Sequence, residues 1–209
     1  MESTTEKTQA DADSDSTSKF DQIMEVAQDL MQKNGYNGFS YSDVAKRVGI
    51  KSASIHYHFP AKADLALAVA RKYRTDFAAA VNDMSELKSS PLEQLAGFAE
   101  LFQDTLEALD RVCLCGMLAT DAGLIPEDVK AETARFFTDQ QDWISTTVSD
   151  GIANGQVNQV ADPDGFAQTF LSALEGAMIM ARSMNQPEHL ATVSAQMISL
   201  LEPTTLAVN

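Results

Sequence analysis

The sequence predicts an all-α protein of about nine helices, and three observations predict it. Apolar residues recur at spacings of three and four from Ser18 almost to the end of the chain. No stretch of alternating β-branched residues competes with that pattern. Helix-boundary chemistry, in the form of Ser-x-x-Asp, Gly and Pro, falls between the apolar stripes. With 209 residues, 44% of them hydrophobic, the chain is long enough to bury a core without crosslinks.

Residues 1–17, with Asp11, Asp13 and Asp15 among Ser and Thr, read as a disordered acidic tail. Ser18-x-x-Asp21 then opens a helix whose stripe is Phe20, Ile23, Met24, Ala27, Leu30 and Met31, closed near Gly35. Ser40-x-x-Asp43 opens a short second helix carrying Val44, Ala45 and Val48, ended by Gly49. A third covers Ser52 to His58 before Pro60, and a long fourth runs from about Ala61 to Met84. After Pro91, the residues Leu92, Leu95, Ala99, Phe102, Leu106 and Leu109 trace a fifth. A shorter, small-residue helix covers Arg111 to Gly123. Beyond Pro126 a face about seven turns long runs through Phe136, Gln140, Trp143 and Ile152 to a stop at Gly155. Pro163 and Pro187 introduce the last two, over 163–185 and 188–201. There is no internal repeat. The expected organisation is the tail (1–17), a helix-turn-helix domain (18–64) and a larger helical domain (65–209).

Formal charge is −15, which at first argues against a nucleic-acid partner. The charge is segregated, however. Residues 19–74 carry nine bases against five acids, whereas residues 75–209 carry five bases against twenty. A basic segment within an acidic chain is a functional signal. The segment contains two short helices joined at a glycine, the second followed by a further helix, which is the plan of a helix-turn-helix. Gly49 tolerates the positive φ of the tight turn. Ile50 and Ile55 anchor the second helix. Lys51, Ser52, Ala53 and Ser54 are left at its exposed N-terminal end, short enough to approach base edges in a major groove. His56, Tyr57, His58 and Lys62 flank it, where polar tips meet phosphate oxygens.

From Phe20 to Leu67, and most specifically over Gly49 to Lys62 with Leu65 beyond, the chain resembles the TetR family of bacterial transcriptional regulators. The family's usual form has Gly where this chain has Ala53 and Tyr where it has His56; here Tyr57 follows instead. By position the resemblance implies base-facing roles for Lys51, Ser52 and Ala53, and phosphate roles for Tyr41, Ser42, His56, Tyr57, His58 and Lys62. It implies a homodimer reading two half-sites of duplex operator DNA, formed by the last two helices, with Ala173, Leu174, Gly176, Ala177, Met178, Ala181, Val193, Met197 and Leu201 at the interface. It also implies a small-molecule effector held in the C-terminal domain. Candidate wall residues are Phe98, Phe102, Met117, Phe136, Phe137, Gln140, Trp143, Phe170 and Met178, and the acidic balance beyond residue 74 favours a neutral or cationic ligand.

Two cysteines two positions apart, Cys113 and Cys115, exclude a disulfide-stapled fold. On one helix they point roughly 200° apart and do not pair with each other. Arg111 on the preceding turn is placed to lower a thiol pKa, which makes a thiol-based sensor the alternative reading. A cysteine-dependent enzyme ranks lower, because no His or carboxylate falls beside either thiol in the sequence. No cluster supports a metal site, no cofactor is implied, and no run of about eighteen apolar residues spans a membrane. The polar N-terminus lacks a basic-then-apolar signal, which points to the cytoplasm. The expected function is a DNA-binding regulator, a repressor released from its operator by an effector.

Overall fold

The computed structural model describes residues 18–160 and 162–203, apart from the side chains of residues 108 and 109; the tail expected over 1–17 lies outside the described residues. Among the described residues there are nine α-helices and no strand. They are α1 (Lys19–Asn34), α2 (Tyr41–Val48), α3 (Ser52–His58), α4 (Lys62–Leu87), α5 (Pro91–Leu109), α6 (Leu114–Thr120), α7 (Glu127–Ala153), α8 (Pro163–Met184) and α9 (Glu188–Ser199).

The boundaries follow the local chemistry. Ser18 caps α1 by accepting from the Asp21 amide. Ser40 and Asp43 form a reciprocal capping box at the head of α2, each side chain accepting from the other's backbone N–H. Ser90 and Glu93 do the same for α5, with Pro91 in its first turn. The helix expected over Arg111 to Gly123 is shorter, because Cys113 stands outside it with an extended ψ of 130° and Asp121 closes it.

Helices α1 to α3 bury Ile23, Ala27, Met31, Val44 and Ile55 as a small core, which Leu65 and Val69 of α4 complete. Helix α4 continues into the second half, where it packs on α5 and α7, while α8 and α9 close the other side. Between them lies an aromatic core. Phe77 meets Phe98, Phe102 and Phe136 edge-on at centroid distances of 5.9, 5.6 and 5.2 Å, and Phe98 stacks on Trp143 at 5.2 Å.

Gly49 sits in the left-handed region at φ 74° and ψ 37°, and a Cβ there meets nothing within 4 Å. Its requirement is therefore one of backbone conformation alone. Gly49→Ala is expected to destabilise the protein by about 1 kcal/mol, and Gly49→Asn by less. Urea denaturation checks this; equal stability of all three proteins would show that the turn relaxes to negative φ.

Candidate nucleic-acid interface and regulatory cleft

The turn at Gly49 presents α3 with Ile55 buried beneath it and Lys51, Ala53, Ser54, His56 and His58 exposed. Ser52 is half-buried, and Tyr57 stands out from the surface at 84% exposure. Among the described residues no ion pair engages Lys51, nor Lys46 on the outer face of α2, a basic residue absent from the expected set. Ser42 is exposed beside it.

Three residues expected to face phosphate make contacts within the domain. The Tyr41 hydroxyl donates to the Phe59 carbonyl at 2.9 Å, and burial, aided by Asp64 and Tyr36, pushes its pKa up to about 12. The Tyr41 ring meets His56 edge-on at 4.6 Å, while His56 Nδ1 lies 3.3 Å from the Pro60 carbonyl. Lys62 departs furthest from its expected place. Its Nζ donates to the Phe39 carbonyl at 2.5 Å and stands 4.3 Å and 4.8 Å from the Phe39 and Tyr36 ring centroids. Burial lowers its pKa against the opposing pull of Asp43 and Asp121. The side chain joins the head of α4 to the loop between α1 and α2. Phe59 and Phe20, stacked at 5.3 Å, close the same corner, and the His58 ring meets Phe20 edge-on.

This domain is joined to the remainder at the start of α6. The Gln32 amide, itself buried, donates to the Val112 carbonyl at 2.9 Å. Asp29 receives Arg111 Nε at 2.8 Å, Lys33 at 2.9 Å and the Arg47 guanidinium. Burial alone raises its pKa, but the bonds from Lys33, Arg47 and Arg111 outweigh that and hold it below the usual range. The Tyr36 amide donates to Asp121 Oδ2 at 2.9 Å at the other end of α6.

Arg111 is thus committed to Asp29 and does not activate a thiol. Cys113 and Cys115 are both buried, and their pKa values are pushed well up by burial and then by the Glu175 carboxylate. This corrects the reactive-thiol expectation: thiolate character is suppressed, not promoted. A carboxyl does lie beside Cys113, namely Glu175 of α8, which sequence reasoning missed. Its signal was there, as the one charged residue between Asp164 and Arg182.

The expected wall residues divide. Phe98, Phe102, Phe136 and Phe170 are fully buried and packed ring against ring. Gln140 is also buried, and Met178 is enclosed with its sulfur accepting from the Cys113 amide at 3.1 Å. Met117 and Trp143 are half-buried. Phe137 alone of the nine lines the cleft of about 440 Å³ between α6, α7 and α8, where Gly116, Leu171, Glu175 and Ile179 are its neighbours. Trp143 borders a different, polar cleft of about 370 Å³ with Gln94 and Asp150.

The interface residues expected on α8 and α9 divide in a similar way. Leu174, Ala177, Met178, Ala181 and Leu201 are buried within the single chain, and Val193 and Met197 pack half-buried against its core. The outward stripe is one step round the helix. Ala173 and Gly176, both half-buried, belong to it with exposed Ser172, Met180 and Ser183, beside Ala191 and Ala195 of α9.

Comparison with known proteins supplies the remaining findings. Residues 23–69 match the family described as bacterial regulatory proteins, tetR family, and residues 91–197, half the chain, match the tetracyclin repressor-like C-terminal domain. The transcriptional regulator AcuR of Cereibacter sphaeroides is 27% identical over 77% of this chain and 74% of its own. The HTH-type transcriptional repressor DhaR of a Mycobacterium species is 20% identical over 88% and 92%. A TetR-family regulator structure from Agrobacterium tumefaciens superposes with a TM-score of 0.86 at 31% identity, covering 88% of this chain and 98% of that one. One from Legionella pneumophila gives 0.82 at 30%, covering 90% and 100%. Among the described residues no helix is long and apolar enough to cross a membrane.

Lys62→Met keeps the aliphatic stem and removes the bond to Phe39 and the ring contacts. The expected loss is about 1–2 kcal/mol of stability, with the salt dependence of DNA binding unchanged. Denaturation and binding titrations at several salt concentrations check it; a shallower salt slope at unaltered stability would assign Lys62 to phosphate after all.

Proposed function

The chain belongs to the TetR family and is a DNA-binding transcriptional regulator; from that premise we propose that it is a homodimeric repressor released from duplex operator DNA by a small-molecule effector. The observation that carries the DNA reading is the exposed N-terminal end of α3, where Lys51, Ser52, Ala53 and Ser54 project beyond the Gly49 turn. Short side chains there let the backbone approach base edges, and an unpaired lysine exchanges counterions for phosphate. Lys46, Ser42 and Tyr57 supply the outer contacts. His56 and His58 orient their neighbours, since their rings engage Tyr41, Phe20 and Tyr57.

One seven-residue recognition helix makes few base contacts, so specificity calls for two copies. The outward stripe of α8 and α9 suits that pairing. It is small and uncharged in a chain of net charge −15, and a Cβ at Gly176 meets nothing within 4 Å, which leaves room for a second helix to approach closely. Exposed Met180, Met184 and Leu200 supply apolar area around it.

Two experiments test the reading. With DNA from immediately upstream of the protein's own coding region, Lys51→Ala is expected to weaken binding to every sequence and lower the salt slope by about one per subunit. Ser52→Ala is expected instead to change the preferred sequence. Anisotropy titrations against specific and random duplexes decide; equal losses on both duplexes from both variants would count against these roles. Met180→Asp places like charges opposite one another at the two-fold axis. Sedimentation is expected to report a monomer with operator affinity reduced at least tenfold, and a persisting dimer would move the interface elsewhere.

A further inference from the structure

The cleft between α6, α7 and α8 contains a carboxyl that the protein leaves incomplete. Glu175 Oε1 is buried and meets no hydrogen-bond donor among the described residues. Its Oε2 lies over Gly116, where a Cβ would come within 2.5 Å, so glycine at 116 is what makes room for the carboxyl. The remaining partner is the Cys113 thiol. Among the described residues the two other buried acids, Asp29 and Glu132, have bases beside them. Asp29 holds three bases; Glu132 Oε1, though it too lacks a hydrogen bond of good geometry, is ion-paired with Arg74 Nε at 2.8 Å, with Arg71 and Arg135 close to Oε2. Among the described residues no lysine or arginine lines the cleft around Glu175. A desolvated carboxyl without a base is costly when ionised, and a bound donor of opposite charge removes that cost.

We propose that this cleft binds a small organic cation, an ammonium or amidinium on an apolar body, with Glu175 as its counter-ion. The inference rests on the reading of the chain as an effector-released regulator and names the chemistry of that effector. Phe137 lines the same cleft and offers a ring to a cation, while Leu171, Ile179 and Ala119 form the wall for its hydrocarbon. At about 440 Å³ the cleft is of small-molecule size. An organic anion finds no base there and meets Glu175 unfavourably. A neutral alcohol gains one hydrogen bond without charge pairing.

The carboxyl is also wired to the joint between the two halves. Cys113, its partner, follows Val112, whose carbonyl receives Gln32 of α1, and it neighbours the buried Tyr73 of α4. A cation that draws ionised Glu175 to itself changes what Cys113 holds, next to the residues on which α1 is seated. Ligand affinity then differs between arrangements of that joint, which is what release of DNA requires.

Burial pushes the Glu175 pKa up to about 7, against the smaller opposing pull of the Cys113 thiol. Cys113, Cys115 and Tyr73 beside it are held protonated by burial, and Arg74 and Glu132 behind Cys115 are paired with each other. Binding a cation near neutral pH therefore displaces a proton from Glu175 alone. The test is calorimetry on the full chain at pH 6.5, in two buffers of different ionisation heat. The probes are n-hexylammonium, benzamidinium, n-hexanol and n-hexanoate, with operator DNA shift measured on the same preparations. The expected result is that both cations bind at least tenfold more tightly than the alcohol and the carboxylate, with part of a proton released. Glu175→Gln, checked for folding by its melting transition, is expected to lose both the preference and the proton. Phe137→Leu should weaken the cations severalfold and keep the proton release. Equal binding of all four probes, no binding of either cation, or unchanged cation binding by Glu175→Gln overturns the inference. A wild-type protein that selects the cations yet shifts no DNA supports the cleft assignment and sinks the regulator reading instead.

Discussion

The structure depends on how α1 is seated against the start of α6. A helix-turn-helix of this size has a small core, completed by Leu65 and Val69 of α4, and its orientation is fixed by that helix together with a second grip on α1. Here the grip is polar and largely buried: Gln32 on the Val112 carbonyl, Asp29 on Arg111, and the Tyr36 amide on Asp121. These contacts are directional, so they hold one arrangement sharply and lose most of their value when the partners shift by an ångström or two. An apolar seat would tolerate sliding. The polar seat makes the relative placement of the two halves a matter of discrete alternatives, as a regulator needs.

The treatment of buried carboxylates shows the same economy. Asp29 and Glu132 are desolvated but surrounded by guanidinium and ammonium groups, and both belong to the contacts that hold helices together. Breaking either set leaves an uncompensated charge, so these clusters specify geometry strongly whatever their net contribution to stability. Glu175 has no such company. Its burial among apolar side chains raises its pKa to about 7, only partly offset by the Cys113 thiol, and it sits where the aromatic core gives way to the cleft. The fold thus separates acids that organise structure from one whose ionisation the surroundings oppose.

Legibility in the sequence followed the range of the interactions involved. Ser40 and Asp43, Gly49, Pro91 and Pro163 act on their own turn of chain, so the helices they start or stop were readable to within a few residues. The Gly49 turn and the α3 end that follows it were equally local. Lys62 was not, because the carbonyl that takes its ammonium lies 23 residues earlier and becomes a neighbour only when α4 folds back. Arg111 likewise lies beside Cys113 in sequence but reaches Asp29, 82 residues away, and the thiol it was expected to activate is governed by its burial and then by Glu175 from α8.

What the sequence determined by itself was the all-α class, the order and limits of the helices, and the position of the base-reading turn, since each rests on 3.6-residue periodicity and on caps within four residues. Tertiary structure alone decided which side of an apolar helix is interior. On α8, Leu174 and Ala177 face inward while Ala173 and Gly176 face out, although both pairs are compatible with helical spacing. Small and apolar residues lie on both of these sides of α8, so spacing alone leaves its rotation open; the rings and carboxylates packed against it set that rotation, and with it the outward stripe, the cleft and the place of Glu175.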